Sequence, residues 1–205
     1  MEPERSTKER LLDEGLRLFA ERGFRGTTVG NVERAAGLAP RSGALYKHFG
    51  SKRELLAAVV ERHLYELQTV GRIVDLLPLG DLRAELTLLA RWVLTELDRQ
   101  RELMLVFEKE GDELRDLRDR FYEVGDVSYR VAADYVRRFT SDAGDVGGID
   151  ADTLAAIAMN ALVNHRRCWW TFERNPLELD DDRMVGGLVE LLMRLVRPPD
   201  RAADR

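Results

Sequence analysis

The 205-residue chain has a single cysteine, Cys168, so no disulfide can form within it and a metal centre of several cysteines is excluded. Histidine is almost as scarce: His48, His63 and His165 are the three, and none are paired at a ligand spacing, which argues against a catalytic metal. No apolar run approaches the roughly 18 residues needed to cross a bilayer. The charged opening, Met1 to Arg5, has no apolar stretch of signal-peptide length behind it. These absences lead us to expect a cytoplasmic protein with no cofactor, no metal and no membrane partner. Period-2 alternation is nearly absent, so strands are not expected. With no strand, there is no Gly-rich phosphate loop following one. Lysine numbers only 4 against 28 arginines, a bias we read as genomic base composition.

What is present is the composition of a globular domain: 44% hydrophobic and 34% charged residues, with a mean hydropathy of −0.34. The net charge of −5 is unevenly divided. Residues 1–53 hold 11 Lys/Arg against 7 Asp/Glu, a net +4, whereas residues 54–205 carry −9. A basic head on an acidic body suits a protein that presents one end to a polyanion.

Helical periodicity runs almost throughout. Leu12, Gly15, Leu16, Phe19 and Ala20 form one stripe of a first helix over 6–22. Thr27 and Thr28 offer an N-cap for a helix over 29–36, and Pro40 opens another over 40–48 with Leu45 and Phe49 inward. Ser51 and Glu54 stand at capping-box spacing before a long helix over 52–70. Further helices are expected over 81–99, 101–109, 113–140, 151–173 and 181–196, with a Gly/Asp/Ser-rich loop over 140–148. The reading is all-α, about nine helices and no strand.

Two short capped helices joined by a tight turn describe a helix-turn-helix. The outward residues of the second are small or polar with positive charge at both ends: Arg41, Ser42, Gly43, Ala44, Lys47, His48 and Lys52. Small residues allow a close approach to base edges, and Tyr46, His48 and Lys52 supply donors for phosphates. The runs Thr27-Thr28-Val29, Ala35-Ala36-Gly37-Leu38, Gly43-Ala44-Leu45-Tyr46-Lys47-His48-Phe49-Gly50-Ser51-Lys52 and Glu54-Leu55-Leu56 resemble the DNA-binding signature of the tetracycline-repressor (TetR) family. The resemblance is dense over about 8–57. It implies an N-terminal three-helix DNA-binding domain over 1–53 and a C-terminal ligand-binding and dimerisation domain over 54–205. It also implies that Thr28 caps the second helix and touches phosphate, that Tyr46 and His48 face the DNA backbone, that Lys52 reaches phosphate, and that Gly43 and Ala44 lie against bases. This chain departs from the pattern twice. Its turn at Ala39-Pro40-Arg41-Ser42 is about two residues longer, and Glu33 replaces a small residue after Val32, a carboxylate that near DNA would need solvent or an arginine.

The second half offers features of its own. The helix over 151–173 mixes polar and aromatic groups along one side, as pocket linings do. Asn164, His165, Cys168 and Trp169 are candidate ligand contacts there, with Trp92, Phe107 and Phe121 elsewhere, although each also suits a core. The last helix is apolar on more than one face and carries Gly186-Gly187. Trp170, Val185, Leu188, Leu192 and Leu195 are accordingly candidates for a two-fold dimer interface. The expected function is a sequence-specific DNA-binding transcriptional regulator: a homodimeric repressor released from double-stranded operator DNA by a small apolar or aromatic effector. The alternatives are a regulator without an inducer and a helical adaptor, which leaves the basic 41–52 stretch unexplained. An enzyme finds little support. Glu108, Glu110 and Asp180-Asp181-Asp182 cluster carboxylates, and His165 is near Cys168, but no oxyanion donor accompanies them.

Overall fold

The computed structural model describes residues 6–110, 112–140 and 145–196, with the side chains of 67–72, 75, 112 and 124 left outside the description. Part of the loop expected over 140–148 therefore lies outside the described residues. Helix α1 (Thr7–Arg22) starts from a capping box. Ser6 Oγ accepts the Glu9 N–H at 3.2 Å and the Glu9 carboxylate accepts the Ser6 N–H at 2.8 Å. Helix α2 (Val29–Ala35) begins at Thr28, whose Oγ1 accepts the Asn31 N–H at 3.2 Å. Thr27, one residue earlier, is buried and donates to the Leu18 and Gly23 carbonyls at 3.0 and 2.9 Å, satisfying the end of α1.

The helix expected over 40–48 does not form. Arg41 and Gly43 have φ of 61° and 73°, which breaks helical continuity, and only a 3-10 turn, Leu45–Lys47, winds there. Helix α3 (Lys52–Val70) follows; Ser51 Oγ accepts the Glu54 N–H at 3.1 Å, while Glu54 reaches back to the Gly50 N–H at 2.9 Å. The two helices expected over 81–99 and 101–109 are one, α4 (Leu82–Lys109). The polar stretch Asp98 to Glu102 contains no Gly or Pro, so nothing in it stops a helix. Helix α5 (Arg115–Arg137) is preceded by a 3-10 turn, Asp112–Leu114.

Two strands of two residues each, β1 (Asp145–Val146) and β2 (Ile149–Asp150), then pair antiparallel, with Asp145 opposite Asp150 and Val146 opposite Ile149. They correct the expectation of no strand. Gly147 and Gly148, at φ 61° and 84°, supply the two left-handed positions that a tight hairpin needs. Helix α6 (Ala151–Phe172) starts at the Asp150 cap, and α7 (Asp181–Val196) completes seven α-helices among the described residues.

The chain divides into two compact units. One comprises residues 1–71 with 100–123, the other 72–99 with 124–205, so the reader expected over 1–53 shares a unit with α3 and the α4–α5 corner. The reason is visible in the core. Leu55, Leu56, Val59 and Val60 of α3 are buried together with Leu11, Leu18 and Phe19 of α1. Gly15 admits the contact, for a Cβ there would meet Leu55 Cδ2 at 2.5 Å. The second unit has a core of Ala90, Leu94, Leu162, Val185 and Val189 from α4, α6 and α7.

Candidate nucleic-acid interface

The segment between α2 and α3 is held from below by Leu45 and Phe49, 0% and 5% exposed. Above that frame Arg41, Ser42, Tyr46, Lys47 and His48 are exposed, while Gly43 and Ala44 are half-buried. Tyr46 shows 59% of its surface, a large aromatic left in water with its hydroxyl free to meet an oxygen acceptor. Thr28 stands exposed at the α2 N-terminus, where unpaired backbone N–H groups and the helix dipole favour an anion. Eight of the nine nominated residues thus gather on and beside one short surface segment.

Lys52 is the ninth, and it is placed differently. Its Nζ donates to the Thr27 carbonyl at 2.9 Å and to the Phe24 carbonyl, and lies 4.2 Å from the centre of the Phe24 ring. Burial lowers its pKa below the ordinary lysine range, opposed by the nearby charges of Glu113 and Glu110. The ammonium expected on phosphate instead props up the loop between α1 and α2. Around it a set of pairs went unseen in the sequence. Glu110 accepts the Phe24 N–H at 2.5 Å, Arg25 pairs with Glu113 at 2.7 Å, and Arg53 pairs with Asp116 at 2.5 Å. Lys109 donates to the carbonyls of Ala20 and Glu21 at the end of α1. These partners stand far apart in the chain, so no local periodicity could have announced them.

Glu33 also corrects its expectation. The carboxylate is fully buried and faces the interior of the reader: Oε1 accepts the Leu45 N–H at 3.1 Å, while Oε2 is enclosed without a partner.

The candidate ligand residues separate. Phe107 and Phe121 belong to the first unit, with ring centres 5.5 Å apart, and Phe121 lies 5.8 Å from His63. Trp92, Asn164, His165, Cys168 and Trp169 belong to the second. Trp92 is half-buried and its Nε1 is enclosed without a partner. His165 is buried and bonded through Nε2 to Asp181 at 3.0 Å, the satisfied core histidine that the sequence also allowed. Arg166 forks onto the same Asp181 at 2.7 and 2.8 Å. Burial alone would raise the Asp181 carboxyl, but hydrogen bonds from Arg166 and His165 outweigh it and hold the group below the usual carboxylate range. Asp180 caps α7 and Asp182 pairs with Arg91, so the acidic triplet is structural.

Cys168 and Trp169 do line a groove of about 740 Å³, together with Phe172, Asn175, Leu177 and Leu179. Its far wall is the connection to α7, which folds back through left-handed Glu173, Leu177 and Glu178. That reversal of unpromising residues is why the sequence revealed only one wall.

Among the nominated interface residues, Val185 is 2% exposed within the core of its own unit, so it cannot belong to an open face. Leu188 packs on the same core, Leu195 lies against Gly147, and Trp170 Nε1 donates to Asp98 at 3.3 Å. Leu192 is half-buried. Leu191 of α7 and Ile157 of α6 are instead each 50% exposed, and the Cβ directions of Gly186 and Gly187 meet nothing within 4 Å.

A capped short helix, a turn bearing exposed Arg, Ser, Tyr, Lys and His over a buried frame, and a long supporting helix define a helix-turn-helix DNA reader in an all-α chain. Residues 11–59 match the family described as bacterial regulatory proteins, tetR family. The HTH-type transcriptional repressor KstR2 of Rhodococcus jostii is 35% identical over 101 residues, 49% of this chain and 48% of that protein. The match thus spans about half of that relative's length. The fatty acid degradation regulator FadR from Bacillus halodurans shares the fold with a TM-score of 0.66 at 17% identity, covering 93% of this chain and 96% of that one. FadR from Bacillus subtilis, solved in complex with stearoyl-CoA, gives 0.65 at 16% identity over 90% and 96%. Residues 11–59 thus carry a TetR-family DNA-binding region, and the solved neighbours share the fold. No helix among the described residues is long and apolar enough to cross a membrane.

Proposed function

We propose that the protein is a homodimeric, sequence-specific transcriptional repressor that binds operator DNA through residues 28 and 41–48 and leaves it when a small apolar ligand binds. The observation that carries this reading is the exposed Arg41, Ser42, Tyr46, Lys47 and His48 on a rigid Leu45–Phe49 frame. An adaptor would have no use for cationic and hydroxyl donors around half-buried Gly43 and Ala44. Two half-sites read by two copies give one short reader enough contact area for specificity. A second copy across α6 and α7 is supported by Ile157, Leu191 and the open Gly186-Gly187 surface. Glycine there costs helix stability of about 1 kcal/mol each relative to Ala, a cost that close packing of another helix would offset.

The groove beside Trp169 and Phe172 combines these apolar side chains, and Leu177 and Leu179, with the charged Arg174, Glu178 and Asp180, a mix suited to holding an apolar chain and orienting a polar head. Because the Bacillus subtilis FadR structure holds stearoyl-CoA, long-chain acyl thioesters are the first ligands to try. A ligand lowers operator affinity only if it binds the DNA-free form more tightly, and about 1.4 kcal/mol of such coupling is tenfold. The test is enrichment of duplexes from a randomised pool, followed by titration at several salt concentrations with and without acyl-CoA. Tight binding of an enriched duplex with a steep salt slope is expected. Failure to enrich any duplex would overturn the reading. Acyl-CoA binding that leaves DNA affinity unchanged would remove the ligand half alone.

A further inference from the structure

The two departures from the family pattern, the longer turn and the carboxylate at position 33, meet in one hydrogen bond. Glu33 projects from α2 and is 0% exposed, and its Oε1 accepts the Leu45 N–H at 3.1 Å. In an α-helix that N–H would bond to the carbonyl four residues back, at Arg41. Arg41 is left-handed here, as is Gly43, and the turn closes instead through the Ser42 N–H on the Ala39 carbonyl at 3.2 Å. Leu45 is itself 0% exposed. Without an acceptor its N–H would carry the full desolvation cost of a buried donor. A small residue at position 33 has no acceptor to offer, whereas the buried carboxylate reaches it.

We propose that Glu33 is the positioning residue of the DNA-reading segment and sets operator specificity without touching DNA. The extra turn residues open the start of the recognition segment, and the carboxylate closes it again. The result is a loop, Arg41 to Ala44, fixed at its C-terminal end, where a standard-length turn would present the first turn of a helix. Arg41 and Ser42 thereby stand exposed at the point where a helix N-terminus would meet base edges. The inference rests on the assignment of residues 41–48 as the DNA-reading segment.

Duplexes enriched from a randomised pool by the wild-type protein serve as the probe, with unselected duplexes as the control. E33Q keeps an amide oxygen for the Leu45 N–H and is expected to bind the enriched duplex within about threefold of wild type. E33A is expected to lose about tenfold or more on that duplex. Its affinity for unselected DNA and its salt slope should stay unchanged, because the phosphate contacts remain. A folded E33A that matches wild type on the enriched duplex overturns the proposal, as does one that loses equally on both. If the wild-type protein enriches nothing, the DNA-reading assignment itself falls. Should E33A fail to fold, a second variant decides: E33A with Arg41 and Ser42 deleted. The shorter turn lets Leu45 find a helical acceptor, so this variant is expected to fold and to melt cooperatively. A variant that still fails to fold overturns the proposal.

Discussion

His63 and Lys52 show how burial assigns work to single charged residues. His63 is buried beside Phe121, and that burial, helped by the charge of Arg62, brings its pKa down to about 4. The unfolded chain, with a histidine near 6.5, therefore binds the proton first as pH falls. The neutral ring's contribution to stability is complete above about pH 6.5 and is lost as pH drops towards 4, an expected loss of about 3 kcal/mol. Urea denaturation of wild type and His63→Leu across that window measures it as the difference between the two pH profiles. Parallel profiles would show that His63 carries no such linkage. Lys52 is the converse case, a cation drawn inward to two carbonyls. Lys52→Met keeps the aliphatic stem over Phe24 and removes the donor, with an expected cost of about 1–2 kcal/mol. The folded variant should keep the wild-type salt slope for DNA. A slope smaller by about one would place the ammonium on a phosphate after all.

Among the elements, those with a strong apolar stripe and a recognisable cap were legible. Helices α1, α2, α3, α6 and α7 lie within a residue or two of their expected bounds: Thr28 and Ser51 mark starts that the sequence offered, whereas the Ser6 cap of α1 emerges only in the structure. The recognition segment was not legible. Pro40 and the inward spacing of Leu45 and Phe49 look like a helix opening, but backbone conformation at Arg41 and Gly43 decides otherwise, and neither shows in a pattern of apolar positions. The hairpin was missed for a different reason: Gly147-Gly148 is a turn signal, but two-residue strands leave no alternation to find. The exposed candidate DNA contacts could be named from residue type, while the clamp around Lys52 could not, since its carboxylates come from the α4–α5 corner. Arg41 offers a direct test of the turn. Arg41→Gly relieves the left-handed strain and should raise stability by up to about 1 kcal/mol, while weakening DNA binding. A variant that is both more stable and fully active would remove Arg41 from the interface.

For the whole molecule, assembly decides whether one short reader can be specific. The side chains on α7 divide into two groups that mutation can separate. Val185 is enclosed by Ala90, Leu94, Leu162 and Val189 of its own chain, so Val185→Ala should cost about 2 kcal/mol of stability and leave the assembly intact. Leu191 is half exposed and contributes little to that core, so Leu191→Glu should fold normally. If a second copy covers this face, the same change buries an unpaired carboxylate at the two-fold contact, a cost that breaks the dimer. Wild type is then expected to sediment at about 47 kDa, twice the 23.4 kDa of the chain, and Leu191→Glu at the chain mass. Loss of the second reader removes the intramolecular advantage of binding two half-sites, so affinity for an enriched duplex should fall about a hundredfold or more, while each single reader keeps its contacts. A wild-type monomer at micromolar concentration would sink the two-fold reading. A Leu191→Glu protein that stays dimeric and binds DNA normally would move the interface elsewhere on the surface.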